Sequence, residues 1–387
     1  MLTQIINARI LTPQGWLKDG SVILRDNKIL EVTNCDLAVI GAKVIDAKGM
    51  NVVPGGIEMH IHGGGGRDFQ EGEEEAFRVA CAAHAKYGTT SIYPTLSSST
   101  IPMIEKAVAT CDKLMAEPDS PILGLHLEGH YLNPNKAGAQ MPECIKNPDP
   151  NEYIPIVENS RCLARWDAAP EMPGALQFGK YCAEKGILPS IAHTAAEYKD
   201  VKAAFEAGFT HVTHFYNAMP GFHNKGEYKY EGTVESVYLM DDMTVEVVAD
   251  GIHVPPTIMR MCYKIKGVER MALITDALAV AAAGDDAQAF DPRVVIEDGV
   301  CKLADRSALA GSVATMDRLI RTAVQQAEIP LEDACRMVSE TPAHIMGVYD
   351  RKGSLSRGKD ADILILDDDI NVRCVWQMGK IIENSLF

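Results

Sequence analysis

Residues 52–66 read VVPGGIEMHIHGGGG. This apolar, strand-like run ends in His60 and His62, which share one face of a strand because side chains alternate between the two faces. Such a pair is typical of a metal site, although on its own it is equally compatible with two polar side chains that hold no ion. The glycines that follow lack the G-K-[ST] ending of a phosphate loop, so we interpret them as a tight turn.

Four other apolar runs also end in a side chain that can bind a metal. A lone histidine on an apolar strand is more often a core residue, and a lone aspartate is equally suited to capping a helix. Imidazoles and carboxylates together are the ligands of zinc and similar divalent ions, and a carboxylate beside such an ion can transfer protons. Together with the histidine pair, these side chains predict a metal-dependent hydrolase. They are Glu128 in ILGLHLEG, His193 in ILPSIAHT, His214 in HVTHFYNAM and Asp276 in MALITDA.

The middle of the chain alternates between strand-like and helical patterns. Residues 73–88, 101–117 and 196–208 have helical apolar spacing, and two of these stretches close with Gly88 and Gly208. Eight strands separated by helices predict an α/β fold, a (β/α)₈ TIM-like barrel with its active site at the carboxyl ends of the strands. The strand candidates are residues 52–60, 91–96, 121–128, 163–169, 187–193, 210–216, 244–250 and 271–276.

The two ends of the chain are rich in short strands and turns instead. A chain of 387 residues is long enough for one large domain and one small one. We predict that residues 1–52 and 345–387 pair into a small β-sandwich domain, with antiparallel strands in its N-terminal part. Residues 53–344 would then form the catalytic barrel domain.

Composition excludes several classes of partner. The chain is 47% hydrophobic and 23% charged, as in soluble globular proteins, and its net charge of −16 disfavours nucleic acids and anionic membranes. Its ten cysteines include no C-x-x-C pair, which favours reduced, buried thiols. The sequence has no recognisable signal peptide and no apolar run of roughly 20 residues, so we expect a cytoplasmic location and no membrane partner.

Several motifs resemble the amidohydrolase superfamily, and within it the N-acetylglucosamine-6-phosphate deacetylases. The resemblance spans nearly the whole chain, and HLEG, KAGAQ and T-H-x-x-N-A-M are far more specific than H-x-H. The matching segments are PGGIEMHIHGGGG, HLEGHYLNPNKAGAQ, THFYNAMPGFHNK, VADGIHV, LITDA, ALAGSVATM and GSLSRGKDADILIL.

The resemblance implies a role for each candidate residue. Glu128, His193 and His214 would hold the main metal, and His60 and His62 a second one, with Glu128 bridging. Asp276 would lie nearby as the general acid and base. The ion would be zinc, or else iron, manganese or cobalt, with one or two per subunit, and the protein would be a homodimer. The substrate would contact Ala139, Gln140, Asn217, Ala218, Lys225, His253, Leu309, Ala310 and Gly311.

Three other histidines have less defined roles. His126 lies on the same strand face as Glu128, and we expect it deeper in the barrel as a supporting residue. His130 is either a site residue or a loop histidine, and it stands where the family usually has proline. We interpret His211 as structural.

The implied reaction is hydrolysis of N-acetylglucosamine-6-phosphate to glucosamine-6-phosphate and acetate, in amino-sugar catabolism. Lys225 stands where the family has a phosphate-binding arginine, and a lysine cannot form the bidentate fork; Lys229 would assist it. This departure leaves open an amidohydrolase that acts on another N-acyl amino sugar, with or without phosphate, or on another N-acyl or cyclic amide. A catalytically silent binding protein on the same scaffold is the third reading, and it predicts missing ligands.

Overall fold

The computed structural model describes residues 1–35, 37–284 and 287–386. Its helices are α1 (Glu74–Ala85), α2 (Ile101–Met115), α3 (Pro150–Asn159), α4 (Ala175–Glu184), α5 (Tyr198–Glu206), α6 (Thr233–Tyr238), α7 (Pro256–Lys266), α8 (Met316–Arg321), α9 (Leu331–Met337) and α10 (Glu340–Ile345). Short 3₁₀ turns cover Phe69–Glu71, Pro134–Lys136 and Pro142–Cys144, and a π-helical segment covers Thr322–Gln326.

The strands fall into a sheet made by the two chain ends, a central barrel and three short hairpins. They are β1 (Leu2–Thr12), β2 (Gly15–Arg25), β3 (Lys28–Thr33), β4 (Lys43–Asp46), β5 (Asn51–Pro54), β6 (Gly56–Ile61), β7 (Gly63–Gly64), β8 (Arg67–Asp68), β9 (Thr89–Leu96), β10 (Leu125–Tyr131), β11 (Leu163–Ala168), β12 (Leu188–Ile191), β13 (His211–Val212), β14 (His223–Lys225), β15 (Tyr228–Tyr230), β16 (Thr244–Val248), β17 (Met271–Ile274), β18 (Val294–Glu297), β19 (Val300–Leu303), β20 (Ile363–Leu366), β21 (Val372–Gln377) and β22 (Lys380–Asn384).

The barrel is an eight-stranded parallel sheet in the order β17-β16-β13-β12-β11-β10-β9-β6. The first and last strands meet at their carboxyl ends, where the Asp276 N–H donates to the His60 carbonyl (3.1 Å) and the His62 N–H donates to the Ala277 carbonyl (2.8 Å). Each of the eight strand candidates overlaps one of these strands, so the predicted barrel is confirmed. Its mouth gathers the residues that follow the strands, as expected for this fold.

The first strand candidate needs a correction, because residues 52–60 belong to two strands. β5 lies in the sheet made by the chain ends, whereas β6 begins the barrel. Gly55 separates them, and a Cβ there would lie 2.1 Å from Thr90 Oγ1, so this close approach requires glycine. Because the run is apolar throughout, the break between β5 and β6 cannot be recognised from the sequence.

The two chain ends form one hydrogen-bonded sheet in the order β22-β21-β20-β5-β1-β2-β3, with β4 also paired to β1. Most neighbours are antiparallel, but β4 and β5 both run parallel to β1. Ile10 and Val22 from the N-terminal part pack in one core with Ile363 and Trp376 from the C-terminal part. This shared core joins the two ends beside the barrel.

The predicted helices 73–88, 101–117 and 196–208 correspond to α1, α2 and α5. Gly88 and Gly208 follow two of them with φ of +103° and +98°, a backbone conformation that glycine adopts without strain. All ten cysteines are free thiols and eight are buried, in agreement with the sequence prediction. None of the described helices combines the length and apolar character that crossing a membrane requires.

Candidate active site

Six side chains converge at the carboxyl ends of the barrel strands. They form two groups, each with its potential ligand atoms within 4.8 Å of one another: His60, His62 and Asp276 in one, and Glu128, His193 and His214 in the other. All six residues are buried. Residues predicted as ligands from five separate stretches of sequence therefore meet at one place.

Glu128 stands between the two groups. Its Oε1 lies 2.9 Å from His193 Nε2 and 3.0 Å from His214 Nε2, while its Oε2 lies 3.3 Å from His62 Nε2. Asp276 Oδ1 lies 3.2 Å from His62 Nε2 on the far side. One carboxylate thus offers an oxygen to each group, which is the arrangement expected of a bridging ligand.

Hydrogen bonds hold the outer ring nitrogens of three of the four imidazoles, those of His60, His62 and His193. Nδ1 of His193 lies 2.8 Å from the Lys136 carbonyl, and Nδ1 of His62 lies 3.2 Å from Ser97 Oγ. Since a carbonyl can only accept, Nδ1 of His193 must donate to it, which leaves the lone pair of Nε2 for a ligand. Fixed tautomers of this kind orient histidines toward a metal ion.

The pKa values of the imidazoles and carboxylates in the site are determined by burial and by the hydrogen bonds between them. Burial alone would lower the pKa of His62, but hydrogen bonds to Asp276 and Glu128 reverse this effect and raise the pKa to about 9. Burial would likewise raise the pKa of Glu128, but hydrogen bonds from the four imidazoles hold it well below its usual range. Without a metal ion, protons therefore supply the positive charge that the buried carboxylates require.

Several residues at the strand ends that carry the site have a left-handed backbone conformation. His193, His214 and Asp276 have φ of +43°, +27° and +50°, a region that residues with a side chain rarely adopt. Ala218, a predicted substrate contact, has φ of +52°. Such strain clusters at functional sites, where it fixes the direction in which side chains point.

A cavity of about 430 Å³ opens above these residues. Five of the six candidate ligands line it, whereas His60 is fully buried beneath. The cavity also contains every predicted substrate contact except one: Ala139, Gln140, Asn217, Ala218, His253, Leu309, Ala310 and Gly311. His253 is held there by a 2.8 Å hydrogen bond from Nδ1 to Asp250.

Lys225 is the predicted contact that does not line the cavity. It lies in the hairpin of β14 and β15, where its side chain is 51% exposed and pairs with Glu197. Lys229 lies in the same hairpin and donates to Asn224. In this structure the two lysines lie away from the residues that line the cavity, so their role in phosphate binding stays a prediction.

The three other histidines lie in the interior. His126 is fully buried, with Nδ1 3.1 Å from Thr95 Oγ1, as expected of a supporting residue. His211 is also buried and faces Thr244 and Glu246 inside the barrel. His130 packs against the rings of Tyr131 and Trp166, and burial lowers its pKa to about 3, so it is a neutral core residue.

Sequence reasoning missed several residues of the cavity and its support. Arg293 and Asp291 line the cavity, where Arg293 pairs with Asp291 and donates to the Ala139 carbonyl (2.9 Å). Lys136 lines it as well, without an ion pair to any carboxylate in the described part of the chain. Below the ligands, Arg165 and Glu246 form a fully buried ion pair. The signal for that pair was a charged side chain inside each of the apolar strands LARWDA and TVEVV.

The profile of the amidohydrolase family matches residues 51–382. The chain belongs to the amidohydrolase family. This match and the six converging ligands agree with the resemblance seen in the sequence.

Relatives of this amidohydrolase share its whole length. It is 31% identical to the N-acetylglucosamine-6-phosphate deacetylase of Haemophilus influenzae, over 98% of this chain and 99% of that protein. It is 30% identical to the N-acetylgalactosamine-6-phosphate deacetylase of Escherichia coli O157:H7, over 98% of this chain and 99% of that protein. The crystal structure of the N-acetylglucosamine-6-phosphate deacetylase from Pasteurella multocida superposes with a TM-score of 0.93 at 29% identity, covering 99% and 100% of the two chains.

The residues of this amidohydrolase fit a divalent metal. The donor set consists of imidazole nitrogens and carboxylate oxygens, which suits zinc and the neighbouring transition metals. Glu128 and Asp276 are buried carboxylates that need a nearby cation to remain charged. The site therefore has both the ligands and the electrostatic need for a bound cation.

Proposed function

We propose that this protein hydrolyses the acetamide of an N-acetyl amino sugar 6-phosphate and releases acetate and the free amine. One observation carries the proposal: Glu128, His193, His214, His60, His62 and Asp276 meet at a cavity large enough for a sugar phosphate. The full-length relatives named above support the substrate class. N-acetylglucosamine-6-phosphate is the first candidate, and the similarity to a deacetylase of N-acetylgalactosamine-6-phosphate supports that isomer as the second.

A divalent ion bound at this site would lower the pKa of a water molecule toward about 7 and polarise the acetyl carbonyl. The chain's own contribution is proton transfer by Asp276. Its Oδ1 faces His62, so Oδ2 is the oxygen that remains to take the proton of the attacking water. The same oxygen then returns the proton to the departing sugar nitrogen.

The residues that line the cavity would bind and orient the sugar. His253, held by Asp250, presents its Nε2 to a substrate oxygen, and Asn217 and Gln140 supply amide groups beside the ligands. The Gln140 side chain is fixed by a 2.7 Å hydrogen bond that its Oε1 accepts from the Ser98 N–H. Its amide nitrogen therefore remains available as a donor. Ala139, Ala218 and the Leu309–Gly311 segment would complete the wall around the sugar.

Further parts of the proposal concern the assembly of the enzyme. We expect zinc in the Glu128–His193–His214 group and a second ion in the His60–His62–Asp276 group. A homodimer and a cytoplasmic location fit the same function. The domain boundaries, with a small domain from residues 1–52 and 345–387 and a barrel domain from 53–344, stay a prediction; β5 (Asn51–Pro54) spans the first boundary.

A panel of four substrates tests the proposal. Acetate release is measured with N-acetylglucosamine, N-acetylgalactosamine and their 6-phosphates, on protein whose metal content is determined on the same sample. The proposal predicts the highest kcat/KM with one of the two 6-phosphates, and loss of activity after chelation. Equal turnover of phosphorylated and unphosphorylated sugars would refute the phosphate requirement, and activity unaffected by metal removal would refute the mechanism.

A further inference from the structure

A pair of buried charges lies directly beneath His60. Arg165 on β11 and Glu246 on β16 are both fully buried. The guanidinium donates through Nη1 to Glu246 Oε2 (2.5 Å) and through Nη2 to Oε1 (2.9 Å). This two-point contact fixes the plane of the carboxylate, which a single hydrogen bond could not do.

The carboxylate held in this way determines the direction of the His60 ring. Nδ1 of His60 lies 2.7 Å from Glu246 Oε1, and since an ionised carboxylate can only accept, Nδ1 donates the proton. The lone pair of Nε2 then points to the other side of the ring. There it faces His62 Nε2 at 3.3 Å and Asp276 Oδ1 at 3.5 Å.

Glu246 contacts the ring of a candidate ligand in only one of the two groups; in the other group its Oε1 accepts the backbone N–H of His214 (3.2 Å) and touches no ring of that group among the described residues. In the other group, Nδ1 of His193 contacts a backbone carbonyl, and Nδ1 of His214 is buried without a hydrogen-bond partner among the described residues. Among the four candidate ligand histidines, His60 alone is hydrogen-bonded through its outer nitrogen to a carboxylate of the described residues. Such a carboxylate makes an imidazole a stronger ligand and locks its tautomer.

The buried charges also favour more than one cation. Among the buried groups in direct contact with the candidate ligands or with Arg165 through a side chain, four carboxylates face a single guanidinium, which leaves three negative charges uncompensated when the imidazoles are neutral. One divalent ion would neutralise two of these charges, and the remainder favours a second ion. The groups are Glu128, Asp276, Glu246 and Asp167 as carboxylates and Arg165 as the cation.

We propose that Glu246, fixed by Arg165, is the positioning residue that makes His60, His62 and Asp276 a second divalent-cation site. It acts through the orientation and basicity of the His60 ring. Its contact with His214 is to the backbone N–H and not to the ring, so the Glu128–His193–His214 group should keep its ion when Glu246 is replaced. The inference rests on the metal-dependent function proposed above, but its test measures bound metal and needs no substrate.

The experiment counts metal ions in reconstituted protein. Wild type and Glu246→Gln are stripped with a chelator, loaded with excess Zn²⁺ or Co²⁺, desalted and analysed by mass spectrometry of the metal. Wild type should hold two ions per chain. Glu246→Gln should bind the second ion about 10–100-fold more weakly and so retain about one. In Co²⁺-loaded Glu246→Gln, the visible absorption of one Co²⁺ ion should be lost relative to wild type, and that of the other ion should be retained.

Glu58→Gln is the matched control. Glu58 is as deeply buried as Glu246 and lies two residues from His60, but it contacts backbone N–H groups of His60 and Thr275 and not a ligand ring. Burial raises the pKa of Glu58 to about 8, so this substitution replaces a protonated acid near neutral pH; it controls for disturbed packing beside His60 and should leave both ions bound. Because Glu246→Gln leaves Arg165 partly unpaired, the double variant Arg165→Met/Glu246→Gln tests the same loss if the single variant unfolds, and it too should retain about one ion.

Three outcomes would overturn the inference. In the first, Glu246→Gln binds two ions as tightly as wild type. In the second, it folds but loses both ions, so that Glu246 supports the whole site. In the third, wild type holds only one ion while still deacetylating its substrate, which removes the second site and leaves the proposed function standing. A wild type that holds no ion refutes the proposed function itself.

Discussion

Metal binding at the His60–His62–Asp276 group should depend strongly on pH. In the metal-free protein the pKa of His62 is raised to about 9, so at neutral pH this imidazole carries a proton on the ring. A metal ion must displace that proton before it can bind. Because protons compete with the ion, affinity should rise with pH until about pH 9 and then level off.

The size of the effect follows from the pKa. At pH 7, displacing a proton from a group of pKa 9 costs about 2.7 kcal/mol, at about 1.4 kcal/mol per pH unit. The ion should therefore bind about a hundredfold more weakly at pH 7 than above pH 9, with a slope of about tenfold per pH unit from His62 alone. The pKa of His60 is also raised, since Glu246 and Asp276 outweigh the effect of burial, so a second displaced proton would steepen the slope.

Calorimetry in buffers of different ionisation enthalpy measures this directly, because it reports the protons released per ion bound. We expect one to two protons per ion at pH 7 for the second ion, and His62→Asn should release fewer and show a shallower slope. An affinity that stays constant between pH 6 and 8, or binding without proton release, would refute the reasoning about the buried carboxylates.

Three further predictions concern single side chains. Asp276→Asn should lower kcat by roughly 10²–10⁴-fold with little change in KM, because it removes the proton-transfer group; a loss below tenfold in steady-state kinetics would contradict that role. Lys136→Met should raise KM for the phosphorylated sugar about tenfold and leave KM for the unphosphorylated sugar unchanged, because Lys136 lines the cavity and has no ion pair among the described residues. Lys225→Met, measured in the same assay, tests the lysine that the sequence predicts as a phosphate contact. Glu58 has its pKa raised to about 8 by burial, so the folded wild type should lose about 1.4 kcal/mol of stability per pH unit between about pH 4.5 and 8, and Glu58→Gln should remove that slope in urea unfolding.

The barrel and the convergence of the six candidate ligands could be predicted because their signals are local. A buried parallel strand is a short apolar run, and the residue that follows it lies at the barrel mouth whatever the details of packing. His193 and Asp276 were found in this way, each two residues after the end of its strand. The same logic failed at residues 52–60, where two strands of different sheets follow each other with only Gly55 between them.

Residues whose role depends on contacts with distant parts of the chain were harder to predict from the sequence. The position of Lys225 is determined by a hairpin that packs near Glu197, and no pattern within the hairpin indicates that contact. Arg293 reaches the cavity from a segment beyond the barrel strands, next to β18. Arg165 and Glu246 were visible as charges inside apolar strands, but their partnership requires β11 and β16 to face each other across the barrel.

The pairing of β5 with β20 has a consequence for how the newly made protein acquires its shape. β5 immediately precedes the strand that carries His60 and His62, and one of its edges bonds to β1 while the other bonds to β20. On the ribosome, Asn51–Pro54 emerges about 300 residues before Ile363–Leu366. The nascent chain must therefore carry an open strand edge while the whole barrel between these two strands is being made, and the sheet is completed only after the barrel has been synthesised.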